Sequence, residues 1–184
     1  MAAVSCRWTA AEGLAAQEPD LAWTDVALWR LEGRAFSARS APYDRLPAAA
    51  EGVVPQAVWD LSRQSAGIAV RFGSSATAVH VRYRLTSDRL AMPHMPATGV
   101  SGADLYARDG RGALRWVQVA RPTQRDVTAR LIANLTPQQR QWMLYLPLYN
   151  GVEQVELGVP AGATVEPLPP PPGKPIVAYG TSIT

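Results

Sequence analysis

From residue 21 onward, short apolar runs alternate with turn residues, and no long amphipathic helix interrupts the series. Apolar runs of this length, bounded by Gly, Pro, Asn and Asp, are typical of β-strands. The pattern predicts eight strands, over residues 53–61, 67–72, 78–85, 102–108, 114–120, 127–132, 141–146 and 152–159. So many strands with short connections predict an all-β fold, a two-sheet antiparallel β-sandwich with a jelly roll as the expected arrangement.

The strand at 78–85 has the clearest alternation of positions. Four apolar residues recur on one face: Val79, Val81, Tyr83 and Leu85. Because successive side chains of a strand point to opposite faces, this set is expected in the core, and His80 is expected to be a surface or cross-strand residue. The turn at Ser74-Ser75 makes strands 67–72 and 78–85 the best hairpin candidate.

Three further segments carry turn signals. The sequence Asp109-Gly110-Arg111-Gly112 predicts a tight reversal between strands 102–108 and 114–120. Asn150-Gly151 is the strongest turn dipeptide in the chain, and Thr136-Pro137-Gln138-Gln139 is a candidate for one helical turn.

Tryptophan is unusually frequent, with six residues in the chain. Four of them lie within or beside the apolar runs: Trp29, Trp59, Trp116 and Trp142. Core packing is the preferred interpretation, because each indole ring buries a large area. An exposed pair would instead favour a platform on which sugar rings stack.

The composition changes after residue 165, where prolines dominate up to Gly173. Proline cannot donate to a sheet, so residues 166–174 are expected to form an extended linker. Residues 175–184 then begin with an apolar run ending in glycine, which is typical of a buried strand of a parallel sheet. The predicted organisation is an irregular segment at 1–20, a sandwich at 21–165, the linker, and the start of a second domain.

The net charge is +3, but the basic residues are dispersed arginines, and Lys174 is the only lysine. Without a basic cluster, we expect no nucleic-acid partner. The single Cys6 supplies neither an intrachain disulfide nor a cysteine metal cluster. No apolar run is long enough for a membrane span or a signal peptide, so a cytoplasmic location is the default expectation, with secretion open if a leader is missing.

Several segments resemble a known family. Gly102-Ala103-Asp104-Leu105-Tyr106 is similar to the Gly-x-Asp-Leu-Tyr signature of a domain that precedes SGNH-type esterase domains, the family of GDSL-like lipases and esterases. Four neighbouring segments resemble that domain too: residues 40–47, 58–62, 92–96 and 146–152. Gly180-Thr181-Ser182 stands where the family carries Gly-Asp-Ser, with Thr181 in place of the usual aspartate.

The resemblance implies that Ser182 is the nucleophile at the end of the first strand of a flavodoxin-like α/β domain. A serine hydroxyl must pass its proton to a base as it attacks an ester carbonyl, and the backbone N–H of Ser182 would help to stabilise the oxyanion. In the family the base comes from a later Asp-x-x-His block, which would lie beyond Thr184. No metal and no cofactor are expected.

His94, held between prolines, is a candidate for lining the entrance of the active site, although a structural role of its loop is the simpler interpretation. A triad of His94, Asp104 and Ser182 is not expected, because the family places its base downstream of the serine.

Two functions therefore remain. The chain is either the leading portion of a serine esterase, inactive alone, whose partners are an acylated carbohydrate or other small ester and the following SGNH domain, or a non-catalytic module that binds glycan or packs on an enzyme.

Overall fold

The structure is a computed structural model and describes residues 20–36, 38, 40–169 and 173. Within these residues the strands are β1 Leu21–Asp25, β2 Ala69–Ser74, β3 Val79–Leu85, β4 Asp104–Arg108, β5 Leu114–Val119, β6 Asp126–Ile132, β7 Arg140–Tyr145, β8 Val152–Pro160 and β9 Glu166–Pro167. The helices are a 3-10 turn at Ala48–Ala50, α1 at Gln56–Ser62 and α2 at Ala97–Val100.

The strands form two antiparallel sheets. The first has the order β1-β8-β3-β6, and the second has the order β5-β4-β7-β2-β9. Only β4 and β5 are both consecutive in sequence and neighbours in one sheet, and the other consecutive strands lie in opposite sheets. The predicted all-β, two-sheet antiparallel sandwich is confirmed.

The core lies between the two sheets. The predicted inward face of β3 is fully buried, and it meets inward residues of the second sheet: Val70, Phe72, Leu105 and Leu144. Both sheets present apolar residues at every second position, so a sandwich is the arrangement that removes both apolar faces from water.

The β4–β5 hairpin is also confirmed. The Oδ1 atom of Asp109 accepts hydrogen bonds from the backbone N–H groups of Arg111 (3.0 Å) and Ala113 (2.9 Å). Gly112 adopts a φ of 84°, in the left-handed region that glycine tolerates best. The local signal was sufficient here because the aspartate and the glycine complete the turn by themselves.

The other predicted hairpin is wrong. β2 pairs with β7 and β9 in the second sheet, whereas β3 pairs with β6 and β8 in the first. The segment between β2 and β3 therefore crosses from one sheet to the other. Ser74 shows why: its hydroxyl donates to the Thr164 carbonyl (2.8 Å) and accepts from the Ala76 N–H (3.1 Å), which stabilises a crossing instead of a reversal.

The strand predicted at 53–61 is also wrong, because most of this segment forms α1. Pro55 precedes the helix, and proline is tolerated there because the first helical N–H groups have no partner within the helix. Trp59 is buried, whereas Val58 and Leu61 are exposed. An apolar run that buries only one side of a helix was mistaken for a strand.

The helical turn predicted at residues 136–139 does not form. This segment is irregular, and the Arg140 guanidinium donates to the carbonyl oxygens of Thr136 (2.8 Å) and Gln138 (3.1 Å). A side chain from β7 thus satisfies carbonyls that a helix would have engaged.

The last described strand, β9, pairs with the free edge of β2. The Leu168 N–H donates to the Arg71 carbonyl (3.2 Å), so the chain runs antiparallel to β2 as it leaves the sheet. Proline is accepted in an edge strand because one side needs no donor. The expected strand at 175–184 lies outside the described residues, as does segment 1–19.

Candidate functional site

A cleft opens at one end of the sandwich, where three segments meet. These are the C-terminal turn of α1, the loop after β3 and the loop before β8. The cleft has a volume of about 390 Å³, and its wall carries Asp60, Arg63, Thr86, Asp88, Arg89 and Tyr149, among others. That volume lies within the usual range for small-molecule sites, roughly 300–1,000 Å³.

Asn150 holds the cleft together from inside. Its side chain is 2% exposed. The Nδ2 amide donates to the Ser87 carbonyl (3.0 Å) and the Ser101 hydroxyl (3.1 Å), while Oδ1 accepts from the Ser87 N–H (3.2 Å) and the Thr86 hydroxyl (3.3 Å). One amide therefore ties the loop before β8 to the loop after β3 and to the start of the β4 region.

Gly151 completes this arrangement. A Cβ atom at this position would lie 2.5 Å from the Arg63 carbonyl oxygen and 2.7 Å from Oγ1 of Thr86. The dipeptide Asn150-Gly151 does mark a turn region, as predicted, but β7 and β8 lie in different sheets. Asn150 contributes a buried amide, and Gly151 allows three segments to approach each other closely. The two residues do not form a tight hairpin turn.

The α1 wall of the cleft is fixed by ion pairing and stacking. Arg63 lies with its guanidinium carbon 5.4 Å from the centroid of the Trp59 ring, and its Nη1 is 2.5 Å from Oδ2 of Asp44. Arg45 donates to the carbonyl oxygens of Gln64 (2.9 Å) and Leu61. Burial lowers the pKa of Arg45 from its usual range. Residues 40–47 thereby hold α1 at this end of the sandwich.

The loop that carries His94 contributes to the cleft through a different residue. Met92 and Met95 exchange backbone hydrogen bonds of 2.9 and 3.1 Å, so Pro93 and His94 form the tip of a tight turn. His94 is exposed at that tip, and Met92 is the member of this turn that lines the cleft. A role of His94 in lining an active site therefore remains a prediction.

All four segments noted beside the Gly-x-Asp-Leu-Tyr sequence meet at this end of the molecule. Residues 40–47 support α1, residues 58–62 form it, and residues 92–96 and 146–152 belong to the two loops beside it. The sequence singled them out separately. Their convergence depends on the sheet-crossing connections, which no local pattern reveals.

The sequence Gly102-Ala103-Asp104-Leu105-Tyr106 lies at the start of β4. A Cβ atom at Gly102 would lie 2.3 Å from the Thr98 carbonyl oxygen and 2.8 Å from that of Ala120. Leu105 is buried in the core, while Asp104 and Tyr106 alternate with it and lie on the outer face of the second sheet. In this motif, Gly102 allows backbone segments to approach closely and Leu105 packs in the core. Asp104 and Tyr106 lie on the surface of the sheet.

The outer face of the second sheet carries an aromatic platform formed by Trp116, Tyr106 and Tyr145. The Nε1–H group of Trp116 donates to Oδ1 of Asp104 (2.8 Å), and the rings of Tyr106 and Tyr145 meet edge to face with centroids 5.5 Å apart. Trp116 is 55% exposed, so its predicted place in the core is wrong. The outward side of an edge strand offers no second sheet to cover it.

The other tryptophans behave differently. Trp59 and Trp142 are buried as predicted, and Trp29 is half-buried against the core. Trp23 lies against Gly158, where a Cβ atom would come within 2.7 Å of its ring, and the Arg82 guanidinium lies 4.4 Å from its centroid. Trp23 therefore covers part of the outer face of the first sheet.

His80 is on that same face but is only 3% exposed, so it is not a surface residue. It is paired with Gly158 of β8 on one side and with Arg130 of β6 on the other. His80 is therefore the cross-strand residue that was the second of the two expectations. Alternation along β3 gave the correct face, and it could not show that this face is partly covered.

Ser182, the predicted nucleophile, lies outside the described residues. Among the residues that the structure does describe, no three His, Cys, Asp or Glu side chains gather as a metal site would require. In the same part of the chain, no helix is long and apolar enough to cross a membrane.

Comparison with known proteins identifies the family. Residues 21–165 match the family described as "GxDLY: N-terminus of Esterase_SGNH_hydro-type". The chain belongs to this family of N-terminal domains of SGNH-type esterases. No curated protein shows significant similarity to it.

Two solved structures are similar in fold. A protein of Bacteroides ovatus described as a GDSL-like lipase superposes with a TM-score of 0.75 and 23% identity, over 80% of this chain and 43% of that one. The salicylyl-acyltransferase SsfX3 of a tetracycline biosynthetic pathway aligns with a TM-score of 0.49 and 20% identity, over 81% and 39% of the two chains. This chain therefore spans less than half the length of either protein.

Proposed function

We propose that this chain is the N-terminal portion of a serine esterase that hydrolyses small acyl esters, with acetylated carbohydrates as the favoured substrate class. The observation that carries the proposal is the family match over residues 21–165, since that family is named for its position ahead of SGNH-type esterase domains. The jelly-roll arrangement is part of the same proposal. It is supported by the strand orders 1-8-3-6 and 5-4-7-2, which leave β9 as an added edge.

In the proposed reaction, the Ser182 hydroxyl passes its proton to a histidine as Oγ attacks the ester carbonyl. The backbone N–H of Ser182 stabilises the oxyanion, the alcohol leaves, and water releases the acyl group from the serine. The base comes from a following SGNH domain, which is the proposed partner of the sandwich. His94 would line the approach to that site, and its support is that the same turn contributes Met92 to the cleft.

The proposal is tested by assaying 4-nitrophenyl acetate hydrolysis with this chain and with a version extended through the following reading frame. We expect the 184-residue chain to be inert and the extended protein to be active. Ser182→Ala should abolish the activity, while the control Ser75→Ala, at an exposed position in the connection between β2 and β3, should retain it. An inactive extended protein would overturn the esterase assignment, and Ser182-dependent activity of the short chain would overturn its inertness.

A second candidate function is a non-catalytic carbohydrate-binding module. The observation that favours it is the exposed Trp116 ring, whose orientation the hydrogen bond to Asp104 fixes. A fixed aromatic face can stack against the C–H face of a sugar, as aromatic rings do on other apolar surfaces. Loss of glycan binding in Trp116→Ala would place binding on this platform and support the second candidate.

A further inference from the structure

The cleft around Asn150 has the shape and the chemistry of a binding site in its own right. It is concave, and its wall is fixed by the four hydrogen bonds of a buried amide. A preorganised wall reduces the conformational entropy that a ligand must overcome on binding. A site of this kind can recognise a ligand without first being assembled by it.

The cleft carries charged groups of both signs. Its lining includes two carboxylates, Asp60 and Asp88, and two guanidinium groups, Arg63 and Arg89. Arg63 is already paired with Asp44. A charged ligand would therefore gain attraction from one sign and repulsion from the other. A neutral ligand with many hydroxyl groups could instead donate to the carboxylates and accept from Arg89 and Gln64.

Tyr149 is the aromatic residue among those that line the cleft. Tyr149 is 42% exposed, and its backbone N–H donates to the Val100 carbonyl (3.0 Å), which fixes this part of the loop. Beside it, Met92 adds an adaptable apolar surface. A pyranose ring has an apolar C–H face and a polar rim of hydroxyls, and this combination matches one aromatic ring surrounded by carboxylate, amide and guanidinium groups.

We infer that this cleft binds a neutral saccharide, namely the sugar portion of the acylated carbohydrate on which the parent enzyme acts. The inference rests on the proposed esterase function, because the sugar would be the alcohol side of the ester. It assigns the cleft a role in substrate selection that is separate from the bond-breaking step at Ser182. The aromatic platform on the second sheet is a different surface and is not needed for this role.

The inference is tested by binding of the 184-residue chain to an array of neutral pentose and hexose oligosaccharides, with and without O-acetyl groups, followed by calorimetry on those that bind. We expect Tyr149→Ala and Asp88→Asn each to weaken binding by about tenfold or more, which corresponds to about 1.4 kcal/mol. Both residues are exposed, so both variants should fold, and equal melting temperatures would show it. Phe36→Ala, which removes an exposed aromatic ring outside the cleft, is the matched control and should bind within about twofold of the parent chain, well below that tenfold step.

Three results would overturn the inference. These are binding of no neutral oligosaccharide, binding that survives both cleft variants, and binding lost in Trp116→Ala alone. The assay does not use Ser182, so its failure is distinguishable from failure of the esterase proposal. In an active extended protein, Tyr149→Ala should raise KM for an acetylated oligosaccharide by a larger factor than KM for 4-nitrophenyl acetate, because that ester carries no sugar.

Discussion

Asn150 shows how much a single side chain can determine in this protein. The Nδ2 group of its side chain donates two hydrogen bonds, and Oδ1 accepts two more. Every partner lies in a different loop from Asn150 itself. Polar groups buried in a protein are stable only when their hydrogen bonds are satisfied. The shape of the cleft therefore depends on this residue more than on the charged groups that line it.

Asn150→Ala should destabilise the protein by about 3 kcal/mol, because the Ser87 backbone groups and the Ser101 hydroxyl lose their partner. Chemical denaturation measures this change in the free energy of unfolding. Gln138→Ala removes an exposed amide in a loop and should change the stability by less than about 0.5 kcal/mol. Equal stabilities of the two variants would show that the Asn150 network is not structurally important.

Other residues show the limit of alternation as evidence. The pattern along β3 placed Val79, Val81, Tyr83 and Leu85 correctly in the core. The same pattern placed His80 on the correct outer face but could not show that this face is covered. Trp116, expected in the core because of its large ring, is exposed. Burial on the outer face of a sheet depends on which distant side chains lie over it, as Trp23 does over Gly158.

At the scale of elements, β4 combines a local turn with long-range requirements. Its hairpin with β5 follows from Asp109 and Gly112, which are close in sequence. Its beginning depends on Gly102, whose missing side chain lets two carbonyl oxygens from separate segments approach. A glycine at the start of a strand can thus be required by packing even where its φ is ordinary.

Gly102→Ala should destabilise the protein by about 2–4 kcal/mol, since the added methyl group meets backbone atoms that cannot move independently. Gly110→Ala is the matched control: no atom lies within 4 Å of its added Cβ, and its φ is not positive. It should leave the stability unchanged or raise it by up to about 1 kcal/mol. Thermal unfolding of both variants provides the measurement, and a neutral Gly102→Ala would contradict this account of the motif.

At the scale of the whole molecule, stability comes from the packing of the apolar faces of the two sheets against each other. Leu157 of β8 is 0% exposed and belongs to the core between them. Because β8 lies between β1 and β3, loss of packing at its centre affects most of the first sheet. The cleft is formed by connections at one end of this core, so it depends on the same packing.

Leu157→Ala should cost about 2–5 kcal/mol through lost burial and the cavity left behind. Leu28→Ala removes the same atoms from a side chain that is 98% exposed and should change the stability by no more than about 0.5 kcal/mol. Denaturant titration with a common slope would compare the two. A large effect at Leu28 would mean that this residue is covered in solution.

The sequence by itself determined the fold class, most strand positions, the β4–β5 hairpin and the family, because strand alternation and turn chemistry are local and the Gly-x-Asp-Leu-Tyr segment is contiguous. It did not determine the helix at Gln56–Ser62, where an apolar run suits either element. Only the tertiary structure decided which strands pair, because the connections cross between sheets. For the same reason only the structure could bring Arg63, Asp88 and Tyr149 to one cleft around Asn150.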